Sequence, residues 1–140
     1  TMGATNVPWL LDSAILSRFQ RRIYVPLPDL AARKAILGIH LGKRGHKTAP
    51  SMDELVRRTD GYSGREIEQI CQMAVARMTQ RANPDLLSVV DKGQEAVRNY
   101  QIRVEPLSDE DFRVALEQIR PIADASMLRK YADWTRKAEG

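Results

Sequence analysis

Apolar residues recur at helical spacing along most of this chain, most clearly between Ile67 and Met78. Ile67, Ile70, Cys71, Ala74, Val75 and Met78 step by three and four, which lays a broad apolar stripe along one side of a helix. Ser63 with Glu66 three residues on is the reciprocal cap that opens such a helix, and Asn83-Pro84 breaks it. Asp29 stands at an N-cap position ahead of DLAARKAILGIHLGKR, where Leu30, Ala31, Lys34, Leu37 and Leu41 fall on one side and Ile36 and His40 on an adjoining face. Ser51 with Glu54 predicts another capping box, on a short helix stopping near Asp60-Gly61, where glycine supplies a left-handed turn. Ser108 with Asp111 precedes Phe112, Ala115, Leu116 and Ile119, and Pro121 ends that helix. A last helix from Ser126 to about Ala138 carries Leu128, Tyr131, Ala132 and Trp134.

Two regions depart from this rhythm. Residues 85–105 read as a broken helix, with Ile102-Arg103-Val104 alternating like a short extended piece. Ahead of Pro28, a short helical run (Leu10, Leu11, Ala14, Ile15) leads to Arg18-Phe19-Gln20-Arg21 and an apolar strand, Ile23-Tyr24-Val25, stopped by Pro26 and Pro28. Arginines beside packed apolar neighbours suit phosphate, because the guanidinium stays charged and bonds two oxygens at once. The fold class expected is mainly α: a domain of four to five helices preceded by a strand-helix-strand piece of an α/β domain.

Composition narrows the chemistry. The chain has 140 residues and a net charge of +4, from 22 basic residues interleaved with 18 acidic ones. No run of five like charges occurs, so the footprint of a nucleic-acid tail is missing. The single cysteine excludes an internal disulfide and fits a reducing compartment, and its apolar neighbours predict a buried thiol. No apolar run reaches membrane-spanning length. Neither zinc-ligand spacing nor a Ser-His-Asp set is present.

GATN at Gly3–Asn6, PWLLDSAI and RFQRRIYVPLPD closely resemble the second region of homology of AAA ATPases, nearest to the branch of katanin, spastin and the ATPases that dismantle ESCRT-III filaments. PLPDLAARKAIL, DGYSGREIEQIC and LSDEDFRVALEQIRP have counterparts there in the same order, and SMLRKYADWTRK resembles the closing helix of that group. Ser17 stands where the branch often has the first of two consecutive arginines. Residues 85–105 are shorter than the β-rich insert usual in the ESCRT-III-dismantling members.

The resemblance implies residues 1–28 as the end of the large nucleotide-binding domain and 29–140 as the helical lid. It makes Asn6 the sensor of the γ-phosphate, positioning the attacking water, and Arg18 and Arg21 fingers that reach a neighbouring subunit's ATP. Ile36, His40, Gly64 and Arg65 would line the base and ribose; many relatives have Ala where Arg65 stands, and an arginine there could reach toward phosphate. ATP and Mg²⁺ are the implied ligands, with Mg²⁺ held outside this chain. The implied partners are copies of itself in a hexameric ring and a protein client, ESCRT-III-like filament subunits among the options, in the cytoplasm. No G-x-x-x-x-G-K-[ST] loop or acidic pair after an apolar strand occurs, so this chain alone is expected to be inactive. Rival readings are a proteasome-type or membrane-extraction-type unfoldase and, from another class, a free-standing basic helical interaction module.

Overall fold

The computed structural model describes residues 2–139. After one 3₁₀ turn at Pro8–Leu10 come α1 (Ser13–Leu16), α2 (Leu30–Leu37), α3 (Met52–Arg58), α4 (Gly64–Ala82), α5 (Leu86–Asp91), α6 (Gln94–Asn99), α7 (Asp109–Gln118) and α8 (Ala125–Glu139). The chain divides into two compact units: Leu27–Ile122, and Thr1–Pro26 together with Ala123–Gly140. The closing helix thus belongs with the N-terminal segment by its contacts.

In the larger unit, side chains start the helices where the sequence signals them. Asp29 accepts the Ala32 amide at 2.8 Å. Ser63 and Glu66 exchange bonds of 2.7 and 3.3 Å, a complete capping box on α4, and Ser108 and Asp111 do the same on α7. Each such cap satisfies amides that a helix start leaves open, contributing about 1 kcal/mol. At α3 only half of the expected box forms. Ser51 accepts from Glu54 at 3.2 Å, while the Glu54 carboxylate turns to Arg58, 3.8 Å away. Gly61 takes a φ of +80° just past α3, the left-handed turn that its lack of a Cβ allows.

The core gathers Leu37 and Leu41 with Leu55 and Val56 of α3, Ile67, Ile70, Cys71, Ala74 and Met78 of α4, and Phe112 and Ala115 of α7. Leu107 joins it and pairs with the loop at 47–49 through two bonds of 2.8 Å. The buried face of α2 is rotated from the one the sequence suggests. Leu30 is 61% exposed, Ala31 and Lys34 are exposed too, and Arg33 is buried at 8%. Arg33 can be buried because its guanidinium is satisfied: it donates to the carbonyls of Val56 (3.2 Å) and Pro28 (3.1 Å) and pairs with Asp60 at 3.0 Å. The carbonyls at the end of α3 have no helical acceptor role left, and a cation is favoured there.

Immediately after α2 the backbone widens. Gly38–Gly42 forms a π turn, closed by Lys43 N–H to the Gly38 carbonyl at 2.9 Å. Residues 85–105 form α5 and α6, two short helices rather than one, which raises the helices after Pro28 above the four or five expected. Asn83 fixes the following segment: its amide donates to Thr79 and Arg103 carbonyls (2.8 and 2.9 Å), and its carbonyl oxygen accepts from Arg103 N–H at 2.8 Å.

In the smaller unit, Asp12 caps α1 by accepting the Ile15 amide at 2.7 Å. Tyr131 of α8 lies between Trp9 and Tyr24, with ring centres 5.1 and 5.6 Å away. The strand expected at Ile23–Val25 does not form, and no strand occurs among the described residues. Ile23 and Val25, expected to pack into a core, are 72% and 82% exposed. A strand exists by its ladder, and this segment has no strand to pair with.

Candidate functional site

The residues singled out by the sequence fall into two groups, one in each unit. In the smaller unit α1 ends in a tight turn: Arg18 N–H reaches the Ile15 carbonyl at 3.1 Å, Phe19 N–H the Leu16 carbonyl at 3.2 Å, and Ser17 Oγ the Ala14 carbonyl at 2.9 Å. Phe19 is half-buried, and a Cβ added at Gly3 would meet its ring at 3.1 Å. Arg18, Arg21 and Arg22 all stand exposed on this stretch, and none makes an ion pair among the described residues. Unpaired guanidinium groups next to an anchored backbone are ready for an anion supplied from outside. Arg22 shares that exposure and was not distinguished from its neighbour by sequence; adjacency in the RFQRR run was the available signal. Asn6 is exposed, and its main-chain carbonyl accepts a hydrogen bond from the Tyr131 hydroxyl.

In the larger unit the structure brings Ile36 and Gly64 together. A Cβ built on Gly64 would lie 3.4 Å from Ile36 Cδ1, so an apolar side chain already lies against the bare backbone at the start of α4. The Ser63–Glu66 box occupies the third amide of that helix and the cap amide. The Gly64 and Arg65 amides, at the first two helical positions, keep no intrahelical acceptor. Together with the positive end of a long helix, they suit the polar atoms of a ligand. Arg65 projects exposed beside them.

His40 is placed differently. It sits on the π turn, half-buried, and lines a shallow depression of about 200 Å³ with Arg44, Cys71, Gln72, Val75 and Ala76. Cys71 follows Gly64 by seven residues, roughly 10 Å along a helix, so His40 lines a different part of α4 from the Ile36–Gly64 contact. Cys71 itself is inert: burial, first, and the nearby Glu68 carboxylate push its thiol up to about 12, which leaves almost no thiolate near neutrality.

Among the described residues no three His, Cys, Asp or Glu side chains converge as metal ligands, and no helix is long and apolar enough to cross a membrane. Ile36, Gly64 and the open amides fit the flat, partly polar body of a base and ribose. Nothing in this set fits Mg²⁺.

Residues 50–85 match the AAA+ lid domain family. Katanin p60 ATPase-containing subunit A1 of Arabidopsis thaliana is 30% identical over 135 residues, covering 95% of this chain and 25% of the plant protein. Human vacuolar protein sorting-associated protein 4A is 53% identical over 70 residues, 49% of this chain and 16% of that protein. Among solved structures, the FIGL-1 AAA domain in complex with ADP superposes with a TM-score of 0.70 at 31% identity, covering 97% of this chain and 44% of that one. The chain thus spans a quarter or less of the two curated relatives and under half of the solved AAA domain.

Proposed function

This chain belongs to the AAA ATPase family, in the branch of the katanins and VPS4, and from that membership we propose that it is the lid and adjoining arginine-bearing segment of an enzyme that hydrolyses ATP within a ring. Residues 1–28 are the end of the large domain on this reading, and 29–140 the lid with its closing helix. The parent couples turnover to remodelling or taking apart a protein assembly in the cytoplasm, ESCRT-III-like filaments being one such client.

The observation that carries the reading is the contact of Ile36 with bare Gly64 at the open start of α4. An adenine base stacks on an apolar side chain, and the absence of a Cβ lets the ribose approach the two free amides closely. His40 adds a ring that can stack or bond through either nitrogen. Arg65 stands on the same rim and reaches toward the phosphates.

Phosphoryl transfer needs charge placed around the transferring group more than covalent help from the protein. Arg18 and Arg21 serve the site of the neighbouring subunit in a hexameric ring, where their charge is matched by the transition state, and Asn6 orients the attacking water in its own. Mg²⁺, when bound, neutralises charge between the β- and γ-phosphates; its ligands lie in the rest of the parent. A katanin relative whose name records an ATPase and a FIGL-1 neighbour solved with ADP support the nucleotide assignment.

The test is nucleotide binding by the full-length parent. Gly64→Val, which thrusts a branched side chain at Ile36, should weaken ATP binding while leaving the thermal midpoint within a few degrees. Parental affinity in that variant removes the pocket from this face.

A further inference from the structure

The closing helix and the N-terminal segment meet at one directed contact. The Tyr131 hydroxyl donates to the main-chain carbonyl of Asn6, 125 residues away in sequence. Tyr131 is itself held by its ring, tilted 58° against Trp9 and stacked at 26° on Tyr24. Lys130, the preceding residue, places its ammonium 5.7 Å from the centre of the Trp9 ring, a cation–π distance. The aromatic contacts locate α8 on this segment, and they would do so equally well for a phenylalanine. The hydroxyl adds something that packing does not require.

We propose that Tyr131 is a positioning residue for Asn6, its hydroxyl fixing the peptide that follows the Asn6 side chain. This inference rests on the assignment of Asn6 to the γ-phosphate. The Asn6 side chain is exposed and has no hydrogen-bond partner among the described residues; its direction is set by its backbone. A peptide group is planar, so holding its carbonyl oxygen orients the whole unit and limits rotation about Asn6 ψ. Orienting a water for in-line attack is sensitive to such freedom, a displacement of about 1 Å costing on the order of a hundredfold in rate. α8 therefore acts on hydrolysis through the carbonyl of Asn6, without touching nucleotide.

The experiment uses the full-length parent with Tyr131→Phe, Asn6→Ala and the double variant, reading kcat, KM for ATP and ring formation by sedimentation. Tyr131→Phe keeps the stack with Trp9 and Tyr24 and deletes only the donor. It should lower kcat roughly tenfold, short of full misplacement, with KM and ring formation unchanged. Asn6→Ala should lower kcat at least as far, and the double variant should be no slower than Asn6→Ala, because both act through one group. Parental kcat in Tyr131→Phe beside an impaired Asn6→Ala overturns the positioning role. So does an additive double variant, or loss of the ring in Tyr131→Phe, which would make the tyrosine structural. Parental kcat in Asn6→Ala overturns the assignment of Asn6 itself, and the inference with it.

Discussion

Arg81, near the end of α4, places a guanidinium nitrogen 3.0 Å from the carboxylate of Asp111 at the start of α7. That carboxylate is buried and also accepts the Ser108 amide at 2.9 Å. Burial works to raise its pKa, but the bonds from the Ser108 backbone and hydroxyl and from Arg81 outweigh it and hold the group below the ordinary carboxylate value. A carboxyl depressed on folding stabilises the native state above its unfolded pKa of about 3.9, and that stability is lost as pH falls through the lower folded value. Thermal unfolding of this chain, followed by circular dichroism, should give a flat midpoint near neutrality and a decline below about pH 4. Asp111→Asn should cost roughly 1 kcal/mol at pH 7 and make the acid decline shallower. An equally steep decline in the variant would assign the acid loss to other groups.

The lid contact and the histidine make separable claims. Gly64→Val and His40→Ala in the full-length parent should each weaken ATP binding by roughly 1–2 kcal/mol, several-fold or more, without unfolding it. Because the two residues line different stretches of α4, their effects should add within about 0.5 kcal/mol. Calorimetric titration with ATP measures both, and parental affinity in both variants would return them to ordinary helix positions.

For the arginines the expected signature is kinetic. Arg18→Ala and Arg21→Ala in the parent should leave ATP binding nearly intact and lower turnover severely, since arginine fingers contribute on the order of 10³–10⁵-fold. Mixing arginine-deficient subunits with subunits unable to bind ATP should restore some turnover, as each completes the other's site. Well-formed mixed rings that stay inactive would confine Arg18 and Arg21 to their own subunit.

The isolated chain provides the simplest measurement. Lacking a phosphate-cradling loop, it should turn over no ATP and bind nucleotide no tighter than millimolar, about −4 kcal/mol. It should also show no salt-sensitive binding to DNA or RNA beyond weak background, which separates the ATPase reading from a free-standing basic module. Robust hydrolysis by this chain would overturn the first expectation, and tight, salt-dependent nucleic-acid binding the second.

What could be read from sequence was local. Ser63 with Glu66 and Ser108 with Asp111 each sit three residues apart, and the stripe from Ile67 to Met78 repeats within single turns, so the pattern carries the interaction. Arg33 could not be read in this way. It is buried only because Val56 and Asp60, from another helix and its exit turn, supply acceptors, and period alone favoured Leu30 for the inner face. Ile23-Tyr24-Val25 failed for the converse reason: β-branched residues suit a strand, but pairing depends on a partner elsewhere. Ile36 and Gly64 were nominated through family resemblance, and the fold brings them into contact. Tyr131 went unnoticed as more than a helix position because its acceptor lies at the far end of the chain.

The wide turn at Gly38–Gly42 gives this stretch an unusual relation to its own length. A π turn is an α-helical turn holding one residue more than it needs. Deleting any one of the five would relax the backbone into a smoother helix, yet every side chain beyond the cut would swing by about 100°. Leu41 would leave the core and His40 the wall formed by Cys71 and Val75. Replacements here alter single contacts, whereas a change of count shifts the register of all that follows. Related chains can therefore vary in what they carry at these positions far more freely than in how many positions there are.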